Sequence, residues 1–497
     1  MRVRKFTLNS EDQVVVKVVR EILNLFKIET GCEADFDWEE LNIVNTIRPD
    51  VLPIVETVID MTGTDGRKIH LVQEAEGRAD ERYAAGMHRL IKLNLYQLFR
   101  REFGFSPAPW GILHGVRPTK IVHRLLDSGL SRDEVAERLC HDYEASNEKA
   151  ATITDMAIRQ KPFLARSDNK TISIYVGIPF CLSRCLYCSF PANILPDQAG
   201  LDQFMAVFNK DLMAVKQAVR DYGFKVQSIY VGGGTPTSLP DKYFRDMLTN
   251  VWSAFYGADT VEFTVEAGRP DSMSEDKIRT MVDMNVTRVS VNPQTMQQRT
   301  LKRIGRNHTP EAIIEMFYNL RQAGIPEINM DLIIGLPGEG VADVRDTMEK
   351  IIALGPDDIT LHSLALKRGS VLKLNLADYE LPEDDTCREM FKTAMDYIYK
   401  AGLKPYYLYR QGYMSGQLEN VGCCRAGAES MYNIQIMEER QTILGIGGAA
   451  TSKVVNFHTN RLKSSFNAKD LITYLRDIDI YIDKRAKLIA EAYGDTQ

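Results

Sequence analysis

Residues 175–192 read YVGIPFCLSRCLYCSFPA. Three of the chain's eight cysteines, Cys181, Cys185 and Cys188, crowd into this stretch directly after an apolar run. Such crowding fits a pair of disulfides, half of a zinc site, or the anchor of an iron–sulfur cluster. Near-neighbouring cysteines bridge poorly because the geometry is strained. A structural zinc site needs four closed ligands, commonly as two spaced pairs. No second pair with that spacing exists: Cys423 and Cys424 are vicinal, and no histidine stands at a matching offset. Three thiolates on a short loop suit a 4Fe–4S cluster that leaves one iron without a protein ligand, open to a substrate or cofactor.

The run entering the cysteines is strand-like, and the pattern repeats downstream. Short β-branched runs (ISIYVG at 172–177, SIYVGG at 228–233, VEFTVEA at 261–267, RVSVN at 288–292, INMDLIIG at 328–335 and DITLHSL at 358–364) alternate with helix-period segments at 201–221, 241–255, 273–284, 310–323, 341–354 and 383–401. Six strand–helix units predict an α/β fold with a parallel sheet, because each crossover helix returns the chain in the same direction. Six falls short of the eight of a closed barrel, leaving an open partial barrel or a doubly wound sheet. In either, loops at the C-terminal ends of the strands carry the chemistry, and the cysteine loop follows the first strand.

Residues 1–165 have a different rhythm and read as an N-terminal α+β domain. A helical pattern follows NSEDQ, a strand pair lies in VETVIDMTGTDGRKIHLVQEA, a long helix covers 80–103, and Ser131 caps a shorter one. The polar stretch 165–171 is the expected linker, 166–404 the barrel, and the Tyr- and Gly-rich remainder, 405–497, a less regular region expected to cover the substrate. GIGGAA at 445–450 lacks the following helix and downstream acid of a dinucleotide fingerprint, and reads as tight packing.

With 497 residues, the chain is long enough for two or three domains, and 44% hydrophobic against 26% charged residues fits a sizeable core. A net charge of −6 and the absence of a long basic stripe argue against a nucleic-acid partner. No window is apolar enough for a membrane span, and the N-terminal MRVRKFTLNSEDQ lacks the apolar core of a secretion signal, so a cytoplasmic location is expected. In a reducing compartment, clustered cysteines are metal ligands more often than disulfides.

The C-x3-C-x2-C spacing, with Tyr187 before the last cysteine, resembles the signature of radical S-adenosylmethionine (SAM) enzymes. YVGGGTPT (230–237), VEFTVEAGRPDS (261–272), RVSVNPQ (288–294), LKRIGRNHT (301–309) and INMDLIIGLPGE (328–339) extend the likeness. Together they resemble the branch of oxygen-independent coproporphyrinogen III oxidases and haem chaperones, and within it the coproporphyrinogen dehydrogenase subgroup HemZ, over about 171–465. The resemblance implies a partial (β/α)6 radical SAM barrel with an N-terminal α+β domain and a C-terminal extension. It implies two cofactors, a 4Fe–4S cluster held by Cys181, Cys185 and Cys188, and SAM, whose sulfonium–carbon bond breaks on one-electron reduction to release a 5′-deoxyadenosyl radical. Gly233, Gly234 and Thr235 would meet the methionine amino group, Arg306 its carboxylate, and Glu266 and Asp331, ending the third and fifth strands, the ribose. Gln294 also falls at a cofactor position, with Tyr175, Tyr187 and Ala365 packing around it. His308 and His362 read as hydrogen-bonded histidines rather than catalytic ones.

The implied partners are a tetrapyrrole substrate and a reduced flavodoxin or ferredoxin-type electron donor. Lys367, Arg368 and Arg410 are candidates for a basic mouth. The implied reaction is oxidative decarboxylation of coproporphyrinogen III. Two departures stand against it: Gly177 replaces the oxidase's histidine, and Phe190 replaces a further cysteine. They leave open another radical reaction on a tetrapyrrole, such as haem methylation or ring opening, and haem binding without decarboxylation.

Overall fold

The computed structural model describes every residue except 114, 166–167, 368, 412–413, 460 and 495–497. Part of the expected linker and the candidate Arg368 therefore lie outside the described residues. The chain divides into two compact units, Met1–Asp155 and Met156–Gln497.

The first unit is built on a five-stranded sheet whose third to fifth strands, Trp38–Arg48, Ile54–Gly63 and Lys68–Glu76, form an antiparallel meander. The last two enclose a tight turn with Gly66 in the left-handed region (φ 82°), as a hairpin turn requires. Helices Gln13–Leu25 and Tyr83–Phe103 contribute Val19, Ile22, Leu95 and Phe99 to the core beneath the sheet. Ser131 and Glu134 form a reciprocal capping box at the start of helix Arg132–Tyr143.

The second unit carries an eleven-stranded sheet, whose strands are labelled here β1 (Thr171–Ile178), β2 (Lys225–Gly233), β3 (Glu262–Glu266), β4 (Arg288–Gln294), β5 (Glu327–Ile334), β6 (Asp358–Ser363), β7 (Lys404–Tyr409), β8 (Asn420–Cys424), β9 (Thr442–Gly447), β10 (Thr451–Asn456) and β11 (Arg461–Phe466). β1 to β6 lie side by side in sequence order, all parallel. A doubly wound sheet would reverse its order within this set. Unbroken order with right-handed crossovers keeps every connecting helix on one face, which is the winding of a barrel. Both faces of these strands are covered, so β1 reads TISIYVGI with seven of its eight residues buried.

Residues beyond the sixth strand extend both edges. β8 pairs antiparallel with β6 and β7 antiparallel with β8, while β9 pairs in parallel with β1 and leads into the β9–β10–β11 meander. GIGGAA forms the end of β9 and the turn after it. Gly447 lies opposite Gly177, where an added Cβ would approach the Gly177 carbonyl oxygen to 2.1 Å, so this motif is close backbone packing. Among the described residues no helix is long and apolar enough to cross a membrane.

Candidate active site

The cysteine loop leaves the C-terminal end of β1, and the loops after neighbouring strands hold it in place. Gly234 and Thr235, just past β2, donate backbone N–H bonds to Ile178 and Phe180 (2.8 and 2.7 Å). A Cβ on Gly234 would sit 2.4 Å from the Phe180 carbonyl oxygen, so only glycine allows this approach. Arg269, after β3, donates to Ser183 Oγ (2.8 Å). Beyond β4, Ile304 accepts from the Leu186 amide (3.0 Å) and Gly305 from Ser183 Oγ (3.4 Å). Past β6, Gly369 accepts from Arg184 (2.7 Å). Four barrel loops thus fix the loop before any ligand binds.

All three cysteines are half-buried free thiols. Burial pushes Cys181 and Cys188 upward, and each feels the other thiols. A metal centre would replace those protons, since a coordinating thiol is deprotonated outright. Among the described residues no three His, Cys, Asp or Glu side chains converge on one point as a single ion requires. A cluster asks for less convergence, because each thiolate binds its own iron. Arg306 and Arg269 supply positive charge beside Cys185 and Cys181. The loop fits a cluster better than it fits a lone ion.

Other expected positions lie on the neighbouring strands and loops. Arg306 is fully buried: Nη1 donates to the backbone oxygens of Gly268 (3.3 Å) and Asn292, and Nη2 to Tyr187 Oη (3.1 Å). Among the described residues its Nε–H has no acceptor and Gln294 Oε1 no donor. Gln294 also holds the left-handed conformation (φ 68°), uncommon for a non-glycine residue. A buried charge-bearing donor and a buried amide oxygen, both unmatched, fit a ligand with carboxylate and donor groups such as SAM.

Glu266 and Asp331 face each other inside the barrel. Burial pushes Glu266 up to about 7, against the bond it accepts from Tyr230 Oη (2.7 Å), with the Asp331 charge adding to the rise. Asp331 is equally buried, yet His362, whose Nε2 lies 3.6 Å from Oδ2, and Asn329, which donates to Oδ1 at 2.7 Å, hold it below the usual carboxylate range. One carboxylate stays ionised while the other sits at the edge of titration. Asp331 lies within β5 rather than at its end, and reaches the interior because its side chain points inward. Tyr175 is in the barrel floor, stacked with Tyr230 and Tyr432 at centroid distances of 6.3 and 6.1 Å.

A cavity of about 470 Å³ opens beside the loop. Tyr187, Cys188, Gly233, Gln294 and Ala365 line it, as do Phe190, His362, Lys367, Tyr409 and Asn420. Of the basic candidates, Lys367 is in this wall. Arg410 is buried and donates to the backbone oxygens of Leu418 and Gln417 (3.3 and 3.1 Å). The motifs did not single out Tyr230, Asn329 and Tyr409, and His362 was read as structural. Period-two alternation along β5 and β6 would have found two of these: Asn329, Asp331 and Ile333 share one face of β5, and Thr360 and His362 one face of β6.

If Glu266 accepts hydroxyl donors from the cofactor, its ionised form binds better. SAM affinity is therefore expected to rise about tenfold between pH 6 and pH 8 as Glu266 ionises. Glu266→Gln should flatten that rise in a titration calorimetry series. Without cofactor the sign is opposite: a carboxyl raised above its value of 4.5 stabilises the fold at low pH, and this is lost as pH climbs through about 7.

Comparison with known proteins agrees with this geometry. A family profile described as the radical SAM superfamily matches residues 175–351. The oxygen-independent coproporphyrinogen-III oxidase-like protein HemZ of Bacillus subtilis (strain 168) is 39% identical over 392 residues, 78% of each chain. Heme chaperone HemW of Lactococcus lactis is 30% identical over 295 residues, 59% of this chain and 72% of that protein. Among solved structures, coproporphyrinogen III oxidase (HemN) from Escherichia coli, a radical SAM enzyme, superposes with a TM-score of 0.53 at 21% identity, over 65% of this chain and 72% of that one. The last likeness concerns the fold.

Proposed function

We propose, for a chain that belongs to the radical SAM superfamily and within it to the oxygen-independent coproporphyrinogen-III oxidase-like HemZ family, that it decarboxylates coproporphyrinogen III to protoporphyrinogen IX without oxygen, in porphyrin and haem biosynthesis. The observation that carries this reading is the cavity between the cysteine loop and a polar wall, in a chain 39% identical to HemZ over most of its length. When bound, the 4Fe–4S cluster and SAM would supply a radical able to take a hydrogen atom from a propionate methylene; loss of carbon dioxide would then leave a vinyl group and pass one electron to an external one-electron acceptor. The chain's own residues hold and orient. Cys181, Cys185 and Cys188 ligate the irons. Arg306 meets the methionine carboxylate, Gly233, Gly234 and Thr235 its amino group, and Asp331 and Glu266 the ribose, while Gln294, Tyr175, Tyr187 and Ala365 complete the cofactor pocket. Phe190, Ile333 and Leu364 give the cavity an apolar side that limits water around a reactive radical. Reduced flavodoxin or a ferredoxin-type protein delivers the electron, and eight free thiols suit a reducing, cytoplasmic setting.

The test is anaerobic turnover: reconstituted protein, reductant and SAM with coproporphyrinogen III, products identified by mass. Protoporphyrinogen and carbon dioxide are expected; neither appearing while SAM is cleaved would overturn the reading. Gly177 and Phe190 favour a second reading, in which radical generation persists but couples poorly to decarboxylation. Glycine carries no proton-transfer group and phenylalanine no thiol. A ratio of 5′-deoxyadenosine to carbon dioxide well above one is its mark, and consumption of haem in a parallel incubation would move the substrate to another tetrapyrrole.

A further inference from the structure

Besides the cysteine loop, the cavity is lined by His362 on β6, Lys367 in the segment after it, Tyr409 on β7 and Asn420 on β8. Asn420 is 1% exposed, and its amide orientation is fixed because Oδ1 accepts the backbone N–H of Ser363 (3.0 Å). Its Nδ2 therefore presents donors, and among the described residues they have no acceptor. A buried, unmatched amide donor in a cavity wall marks a missing acceptor. Lys367 adds a positive charge to the same wall. Among the described residues no carboxylate pairs with it. Tyr409 Oη lies 3.4 Å from His362 Nδ1, while Nε2 of that ring faces Asp331. The wall offers donors and a cation; Asp331 and Glu266 lie behind it.

We propose that Asn420 and Lys367 form a carboxylate-binding subsite that takes one propionate of the substrate. The inference rests on the reading above, in which the substrate is a tetrapyrrole bearing propionates. A carboxylate gripped there is tethered by its methylenes to the ring, so the subsite would set which propionate is presented toward the cysteine loop. Amide and ammonium donors to a carboxylate are charge-assisted hydrogen bonds, among the stronger kinds.

The test uses the full chain with its cluster reconstituted and iron content checked. The probes are coproporphyrin III, a stable tetracarboxylate, and its tetramethyl ester, with affinity read from porphyrin fluorescence. The unmodified protein is expected to bind the acid at least about tenfold more tightly than the ester, the effect of one charge-assisted bond. Lys367→Gln and Asn420→Asp should each narrow that preference. Asn420→Asp keeps the side-chain shape and the oxygen that Ser363 needs, and Lys367→Gln alters an exposed residue, so a folding failure in one leaves the other to decide. If both variants keep the acid preference while the unmodified protein releases carbon dioxide from coproporphyrinogen, the subsite is wrong and the reaction stands. If the unmodified protein binds neither probe, both the subsite and the tetrapyrrole reading fall.

Discussion

Cys185→Ala is expected to yield a colourless protein with almost no bound iron, where the unmodified chain carries about four irons after anaerobic reconstitution. The effect is nearly all-or-none because a cubane held by three thiolates has no spare protein ligand. Two thiolates would leave a second iron open to solvent. The loop gives the variant no substitute: beside the two remaining cysteines, the neighbours of Cys185 among the described residues are Arg306 and Tyr187, a cation and a phenol already bonded to each other. The fold itself should survive, since the Leu186 amide bonded to Ile304, the Ser183 hydroxyl bonded to Gly305, and the Gly234 and Thr235 amides bonded to Ile178 and Phe180 hold the loop without its sulfurs. Iron analysis, visible absorption and far-ultraviolet circular dichroism together separate loss of the cluster from loss of the protein. Stoichiometric zinc in the unmodified protein, with no iron, would reject the cluster.

Asp331→Ala is expected to leave iron intact and weaken SAM binding by ten- to a hundredfold. That range corresponds to about 1.5–3 kcal/mol, the contribution of hydrogen bonds to an ionised group. Asp331 is on β5, across the barrel from the cysteine loop, and its contacts are Asn329 and His362 rather than any thiol. Its ionisation is protected by those same neighbours, so it accepts hydroxyl donors over the whole physiological pH range. Equilibrium dialysis with labelled SAM measures the change. Affinity equal to that of the unmodified protein would remove Asp331 from the cofactor pocket.

The alternation of strand and helix was legible because each parallel strand is buried on both faces and therefore written in β-branched residues. Its order in the sheet was not, since a run such as ISIYVG is equally at home in a barrel or a doubly wound layer; sequential pairing from β1 to β6 settles that. The strands beyond residue 404 escaped notice for a different reason. NVGCC and TILGIG spend glycines where neighbouring groups come close, and Gly422 lies under Tyr407 and Gly445 under Thr451. Those glycines erase the hydrophobic signature of a strand. At the site, five of the expected positions, Tyr187, Cys188, Gly233, Gln294 and Ala365, line one cavity, because motifs mark loop ends that the barrel brings together. Tyr230 and Asn329 lie mid-strand and Tyr409 on an appended strand, where no loop motif marks them and, for Asn329 alone, the alternation along β5 gives a signal.

The packing of Gly177 against the end of β9 has a consequence for descent. A Cβ at 177 would come 2.9 Å from the Gly448 carbonyl oxygen, so the turn at 447–448 must shift to admit one. The Gly447 amide donates to buried Asp211 (2.9 Å), which also takes a bond from Tyr474 (3.1 Å) and pairs with Arg485 of the terminal helix. Position 177 is therefore epistatic with residues near the far end of the chain. A lineage could move between glycine and the oxidase's histidine only by passing through changes at 447–448 or at the carboxylate that clamps them. In related sequences the identity of residue 177 should travel with that distant turn, and the two together, rather than the cysteine signature they share, should sort the branch into its chemistries.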